Sequence, residues 1–152
     1  MVWAKITSEY HNPLVFVEWR VKINAHLYWE DILEKVVKPW AKNSYEDSHW
    51  IFQQDLAPTH KAKIVQEYSR DNFPDFISMT KWPSYSLDLN PMDYSVWGVF
   101  GGKGLLSLPS KSLKVALQQE WELILVEYLQ ATAENFVKRL ELGILLKVKP
   151  IE

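Results

Sequence analysis

The sequence predicts an α/β domain, a mixed sheet covered by helices, and three observations carry that prediction. The apolar run Trp50-Ile51-Phe52 passes through Gln53 and Gln54 into Asp55 and then a Leu-Ala-Pro turn. This is the pattern of a buried strand that delivers a carboxylate to the edge of a sheet. Strand-like and helix-like segments follow one another in the order β-β-α-β-α-β-α, which calls for helices packed on a sheet. Two further stripes of apolar residues at helical spacing close the chain. Ligand chemistry in open α/β sheets sits at strand ends, so Asp55 is the first candidate for a functional role.

Taken in order, residues 2–7 and 13–19 both favour strand, and the polar stretch Ser8-Glu9-Tyr10-His11-Asn12 between them predicts a hairpin. Asn24 is placed to cap a helix in which Trp29, Ile32, Leu33, Val36, Val37 and Trp40 recur at helical spacing. That helix is expected to end between Ala41 and Tyr45, with a kink from Pro39 near its last turn. Residues 49–54 form the strand that ends on Asp55. Pro58 suits the first turn of a helix running from Thr59 to about Arg70, with Ala62, Ile64, Val65 and Tyr68 available to pack. Asn72-Phe73-Pro74-Asp75 stops it, and residues 76–79 read as a short strand. Residues 82–90 are a loop punctuated by proline and serine. Pro91 then opens a helix with Asp93 in its first turn, a position that favours a negative charge. Gly101-Gly102-Lys103-Gly104 lacks the spacing and the Lys-Ser/Thr ending of a phosphate-binding loop and reads as a flexible linker. Two amphipathic helices follow, joined near Gln130-Ala131-Thr132.

The bulk properties bound the function. A chain of 152 residues, 47% hydrophobic and 24% charged, is long enough to bury a sizeable core. The absence of cysteine rules out disulfides and thiolate metal sites within it. A net charge of −2 is unlike that of a free-standing, strongly basic DNA-binding module. No apolar run reaches the length of a membrane span, and no membrane partner is expected.

Two stretches carry chemistry. The first is Phe52-Gln53-Gln54-Asp55, with Ala57-Pro58 and His60 after it. The second is Ser86-Leu87-Asp88-Leu89-Asn90-Pro91-Met92-Asp93-Tyr94-Ser95-Val96-Trp97. On residue type alone the bland roles are the commoner ones: Asp55 and Asp93 as helix-terminal carboxylates, Asp88 and Asn90 as turn formers, His60 as a solvent-facing helix residue. Lys61, Lys63, Arg70 and Lys81 fit a solvated helix face as well as a phosphate path. Trp82 and Trp97 suit a core better than base stacking. Together, however, the two stretches resemble the second and third carboxylate motifs of mariner-type transposases. Residues 56–92 separate the two acids, a spacing similar to that of a mariner-related branch whose third acid is aspartate. Val2-Trp3-Ala4, Asn24, Val36-Val37-Lys38-Pro39-Trp40 and residues 131–140 match the family in kind, so the resemblance covers nearly the whole chain.

The resemblance implies an RNase H-like fold and a catalytic domain that cuts and joins DNA, with Asp55 and Asp93 as catalytic residues and ligands of Mg²⁺ or Mn²⁺. It implies DNA as partner and the nucleus as location. The domain is expected to span residues 1–104, with residues 105–152 as a helical extension packed on it. The family's first aspartate lies on a central strand upstream of the segment resembling residues 1–7, and its helix-turn-helix region lies further upstream. The expectation is therefore a domain truncated at the N-terminus, short of the first central strand and without catalysis by itself. Residues 2–7 and 49–54 would then expose strand edges open to a partner strand or a second copy. The chain also departs from the motifs at Leu56, at Leu87, in the glycine-rich stretch and in the tail Leu145-Leu146-Lys147-Val148-Lys149-Pro150. Those changes resemble a decayed or repurposed copy, and the alternative reading is a non-catalytic module that binds a partner or nucleic acid.

Overall fold

The computed structural model describes residues 1–18, 20–46, 48–83 and 87–145; the end of the predicted second strand at Trp19, the start of the second motif at Ser86 and the tail from 146 onward lie outside them. The chain divides into two compact units, Met1–Glu18 with Tyr85–Glu152, and Trp19–Ser84.

In the first unit, β1 (Val2–Trp3) pairs antiparallel with β2 (Val15–Phe16), Val2 opposite Phe16 and Trp3 opposite Val15. The predicted hairpin is present, with a further bridge between Ile6 and His11. Its strands are shorter than their composition suggests. Pro13 has no N–H to donate, and the buried Asn12 side chain takes the Lys5 N–H that a longer ladder would use. Asn12 also accepts from the Trp121 indole through its carbonyl, at 2.6 Å. Ala4, Leu14, Val96, Phe100, Leu117 and Trp121 form the core here.

The second unit is built on a long helix, α1. It starts as Ala25–Leu27, continues through Tyr28–Val37 and ends as Lys38–Tyr45. Asn24 caps it as expected, its Oδ1 accepting from the Leu27 N–H at 2.9 Å. The middle stretch is wound with bonds to the fifth residue back, and Lys38 N–H reaches the Leu33 carbonyl. The winding changes immediately before Pro39, which cannot supply its own bond to the ladder. Tyr28, Ile32, Leu33, Val37 and Ala41 are buried, so the buried stripe runs through Tyr28 and Ala41, while Trp29, Val36 and Trp40 are only half-buried. β3 (Ile51–Phe52) pairs parallel with β4 (Asp75–Phe76). Phe52 and Phe73 meet with ring centres 4.6 Å apart, and Trp50 packs on Phe73 at 5.2 Å.

The helix expected from Thr59 to Arg70 is two helices, α2 (Pro58–Lys61) and α3 (Lys63–Asn72). Ala62 between them is extended, with ψ 137°. Pro58 opens α2 as predicted. In α3 the buried residues are Val65 and Ser69, whereas Ile64 is exposed.

After a short turn at Leu87–Leu89, α4 runs as Met92–Trp97 and continues as Gly98–Gly102. Gly101 and Gly102 thus end a helix and do not form a linker. Gly104 carries the left-handed conformation, φ 69°, that turns the chain into Leu105–Ser107. The final helices are α5 (Ser110–Glu122) and α6 (Val126–Leu145). Their joint falls at residues 123–125, and Gln130-Ala131-Thr132 lies inside α6. No glycine or proline marks that joint. Trp121 is fixed in the core by its bond to Asn12, and the break lets Ile124 and Tyr128 pack against the same cluster, a case of packing overriding local preference. Among the described residues no helix is long and apolar enough to cross a membrane.

Candidate active site

Asp55 lies three residues beyond β3, in the segment that leads to Pro58. Its Oδ1 takes two bonds: one from the Ala57 N–H at 2.9 Å, closing a local turn, and one from His60 Nδ1 at 2.5 Å. No bond to Oδ2 occurs among the described residues, and the side chain is 42% exposed. The His60 bond holds the carboxyl below its usual range; burial works against this, and the Ala57 N–H adds to it.

His60 is 16% exposed. The solvent-facing helix position expected for it is therefore wrong, and the reason is the break at Ala62. An unbroken helix would engage the His60 carbonyl in its own ladder. Here that carbonyl accepts from the side-chain amides of Gln66, at 2.9 Å, and Gln54, at 3.4 Å. Gln54 in turn accepts from the Tyr28 hydroxyl at 3.1 Å, a buried bond. The Tyr28 ring lies against the His60 ring at 4.4 Å. Tyr28 and Gln54 escaped the sequence reading as site residues. The Gln-Gln pair before Asp55 was visible, but its partner 26 residues upstream was not.

Asp93 stands where the sequence placed it, in the first turn of α4. Asn90 organises that turn: its carbonyl accepts from the Asp93 N–H at 3.0 Å, and its side-chain amide donates to Asp93 Oδ2 at 2.8 Å. The Asn90 Oδ1 accepts from the Met92 N–H at 3.3 Å. The helix itself is clamped by α6. Tyr94 donates to the Thr132 carbonyl at 2.8 Å, and Ser95 bonds the hydroxyls of Thr132 and Tyr128. Arg139 covers the Tyr94 ring at 4.1 Å and donates to the Asp88 carbonyl at 3.0 Å, tying the preceding turn to the same helix. Burial raises the Tyr94 hydroxyl above its usual value, partly offset by Arg139.

Other candidates sort plainly. Lys61, Lys63, Arg70 and Lys81 are exposed and line one cleft of about 610 Å³, together with Glu67 and Asp75. Trp82 is buried, and Trp97 packs half-buried against the core of its unit, as expected of core residues. Among the described residues no group of three or more His, Asp or Glu side chains is gathered to hold a metal ion. The donor set at Asp55 nonetheless fits a hard cation, since Mg²⁺ is commonly held by one or two carboxylates and completes its shell with water and phosphate oxygens.

The fold is mixed α/β and RNase H-like, with a half-exposed carboxylate past a strand and a second at a helix start. No family model matches the chain. It is 34% identical over 94 residues to the transposable element Tcb2 transposase of Caenorhabditis briggsae, covering 62% of this chain and 32% of that protein. It is 29% identical over 141 residues to the Tcb1 transposase of the same organism, covering 91% of this chain and 49% of that protein. The chain thus spans about half, or less, of the length of these relatives. Among solved structures, the Mos1 transposase paired-end complex with left transposon end superposes with a TM-score of 0.79 at 20% identity, over 99% of this chain and 44% of that one. The Mos1 transposase catalytic domain and Raltegravir with Mn gives 0.75 at 16% identity, over 100% of this chain and 82% of that one. By sequence the chain is related to transposases of the Tc1/mariner type, and its fold is that of the mariner transposase catalytic domain.

Proposed function

We propose that these 152 residues are the part of a Tc1/mariner-type transposase that carries the second and third acids of its catalytic set, acting in the nucleus on DNA. Asp55 and Asp93 hold Mg²⁺ or Mn²⁺ in this reading. The observation that carries it is the state of Asp55: one oxygen is fixed by His60 and the Ala57 N–H, and the other has no bond to a described residue. A carboxylate arranged this way suits a single-oxygen metal ligand better than a helix cap, because the cap position of α2 is Ala57 and its first residue, Pro58, has no N–H for a carboxylate to serve. When bound, such an ion activates an attacking oxygen and stabilises a leaving one in phosphodiester cleavage and strand transfer. The protein's share is to set the two carboxylates: Asp55 through its neighbours and Asp93 through Asn90.

No carboxylate in these residues matches the family's first acidic motif. Glu9 lies in an exposed bend and Glu18 is exposed beyond β2, so neither replaces a ligand on a central strand. The 152-residue chain purified by itself is therefore expected not to nick or join DNA. The assay is nicking of supercoiled plasmid with Mg²⁺ or Mn²⁺, wild type against Asp55→Ala. Absence of Asp55-dependent nicking agrees with the proposal. Metal-dependent nicking that Asp55→Ala abolishes would show that two acids suffice and would overturn the expectation of inactivity.

A further inference from the structure

We propose that His60 is a positioning residue that fixes Asp55 so that one carboxylate oxygen is spent on the protein and the other is presented to a divalent cation. The inference rests on the metal-binding reading of Asp55 and goes beyond it by naming the group that orients the ligand.

Three features support it. The bond from His60 Nδ1 falls on the oxygen already engaged by the Ala57 N–H, so among the described residues both protein contacts converge on Oδ1 and none falls on Oδ2. His60 is itself immobilised from two sides, by the Tyr28 ring at 4.4 Å and by the Gln54 and Gln66 amides on its carbonyl. The backbone break at Ala62 frees that carbonyl for those amides, at the cost of a continuous helix. A histidine that merely covered a helix end would need none of this. Hydrogen-bond partners of ligating carboxylates orient the ligand and raise metal affinity, and their loss typically costs about 10–100-fold.

Two measurements test it. The first needs no metal. In the metal-free chain, at a pH where the ring is neutral, imidazole ¹⁵N shifts are expected to show the Nδ1–H tautomer, and Asp55→Ala is expected to remove that preference. The second is Mn²⁺ affinity, from the free-ion signal in electron paramagnetic resonance. Affinity should fall about 10–100-fold in His60→Ala. His60→Asn, whose amide nitrogen reaches the place of Nδ1, should recover most of it, and His60→Gln should not. Amide spectra of each variant confirm that it is folded. An Nε2–H tautomer in the wild type would overturn the inference. So would an affinity unchanged in His60→Ala while Asp55→Ala abolishes binding. If the wild type binds no Mn²⁺ through Asp55, the metal-binding reading fails first and this inference with it, whichever tautomer the ring adopts.

Discussion

The two acids are held by opposite means. Asp93 takes its position from a residue three places back: Asn90 bonds both its backbone and its carboxylate, and the turn they share opens a helix. Asp55 takes its position from a histidine five places ahead, and that histidine depends on Tyr28 from another helix and on two glutamines. The first arrangement is local, with tertiary contacts added to steady the helix through Tyr94, Ser95 and Arg139. The second also uses bonds from near in the chain, Ala57 and His60, but His60 is itself held by Tyr28 from another helix. A local arrangement survives loss of distant packing; a tertiary one does not. The Asp55 side is therefore the more fragile.

Substitutions can break that comparison. The largest effect is expected from Tyr28→Ala. Tyr28 is 2% exposed, and its removal takes away the ring against His60 and the hydroxyl on Gln54. Truncating a buried aromatic costs about 3–5 kcal/mol. Urea denaturation should show that loss, and the His60 Nδ1–H signal should lose its bonded shift. A cost below about 1 kcal/mol would place the network outside the elements that hold this unit together. On the other side, Asn90→Ala should cost about 1 kcal/mol, the usual worth of a capping side chain. Amide exchange in residues 92–97 is the readout. A loss as large as that of Tyr28→Ala would erase the distinction drawn between the two acids.

The smallest effect is a pH dependence. The folded state depresses the Asp55 carboxyl, chiefly through His60. A depressed carboxyl contributes stability above its unfolded value, about 3.9, and loses it as pH falls through the folded value. The stability difference between wild type and Asp55→Asn should thus shrink as pH falls below about 4. A difference that grows as pH falls below about 4 would reverse the sign and contradict the depressed carboxyl.

The same contrast explains what was legible in the sequence. Features fixed by neighbours in the chain were readable: the Asn24 cap, Pro58 at a helix start, the hairpin and Asp93 in a first turn. Trp82 and Trp97 were readable because large aromatics seldom stay fully in water. What failed depended on side-chain contacts that residue type and spacing do not announce, some near in the chain and some far. The break at Ala62 has no glycine or proline to announce it; amides from Gln54 and Gln66 claim the carbonyl that an intact helix would use. Residues 130–132 looked like a joint because they are short and polar. Thr132 is instead buried inside α6, where its hydroxyl meets Ser95. The buried stripe of α1 is shifted toward Tyr28 and Ala41 because the helix is wound more widely than the α spacing assumed.

We propose, from the resemblance to the family's second and third acids alone, that Asp55 and Asp93 serve one metal ion. The most direct test is paramagnetic broadening of backbone amide signals as Mn²⁺ is added to the wild type, Asp55→Ala and Asp93→Ala. Signals from residues 55–60 and 90–95 are expected to broaden together, over the same range of Mn²⁺ concentration. Either substitution should abolish the broadening at both segments. Broadening at one segment alone, or at each independently of the other's aspartate, would contradict the claim.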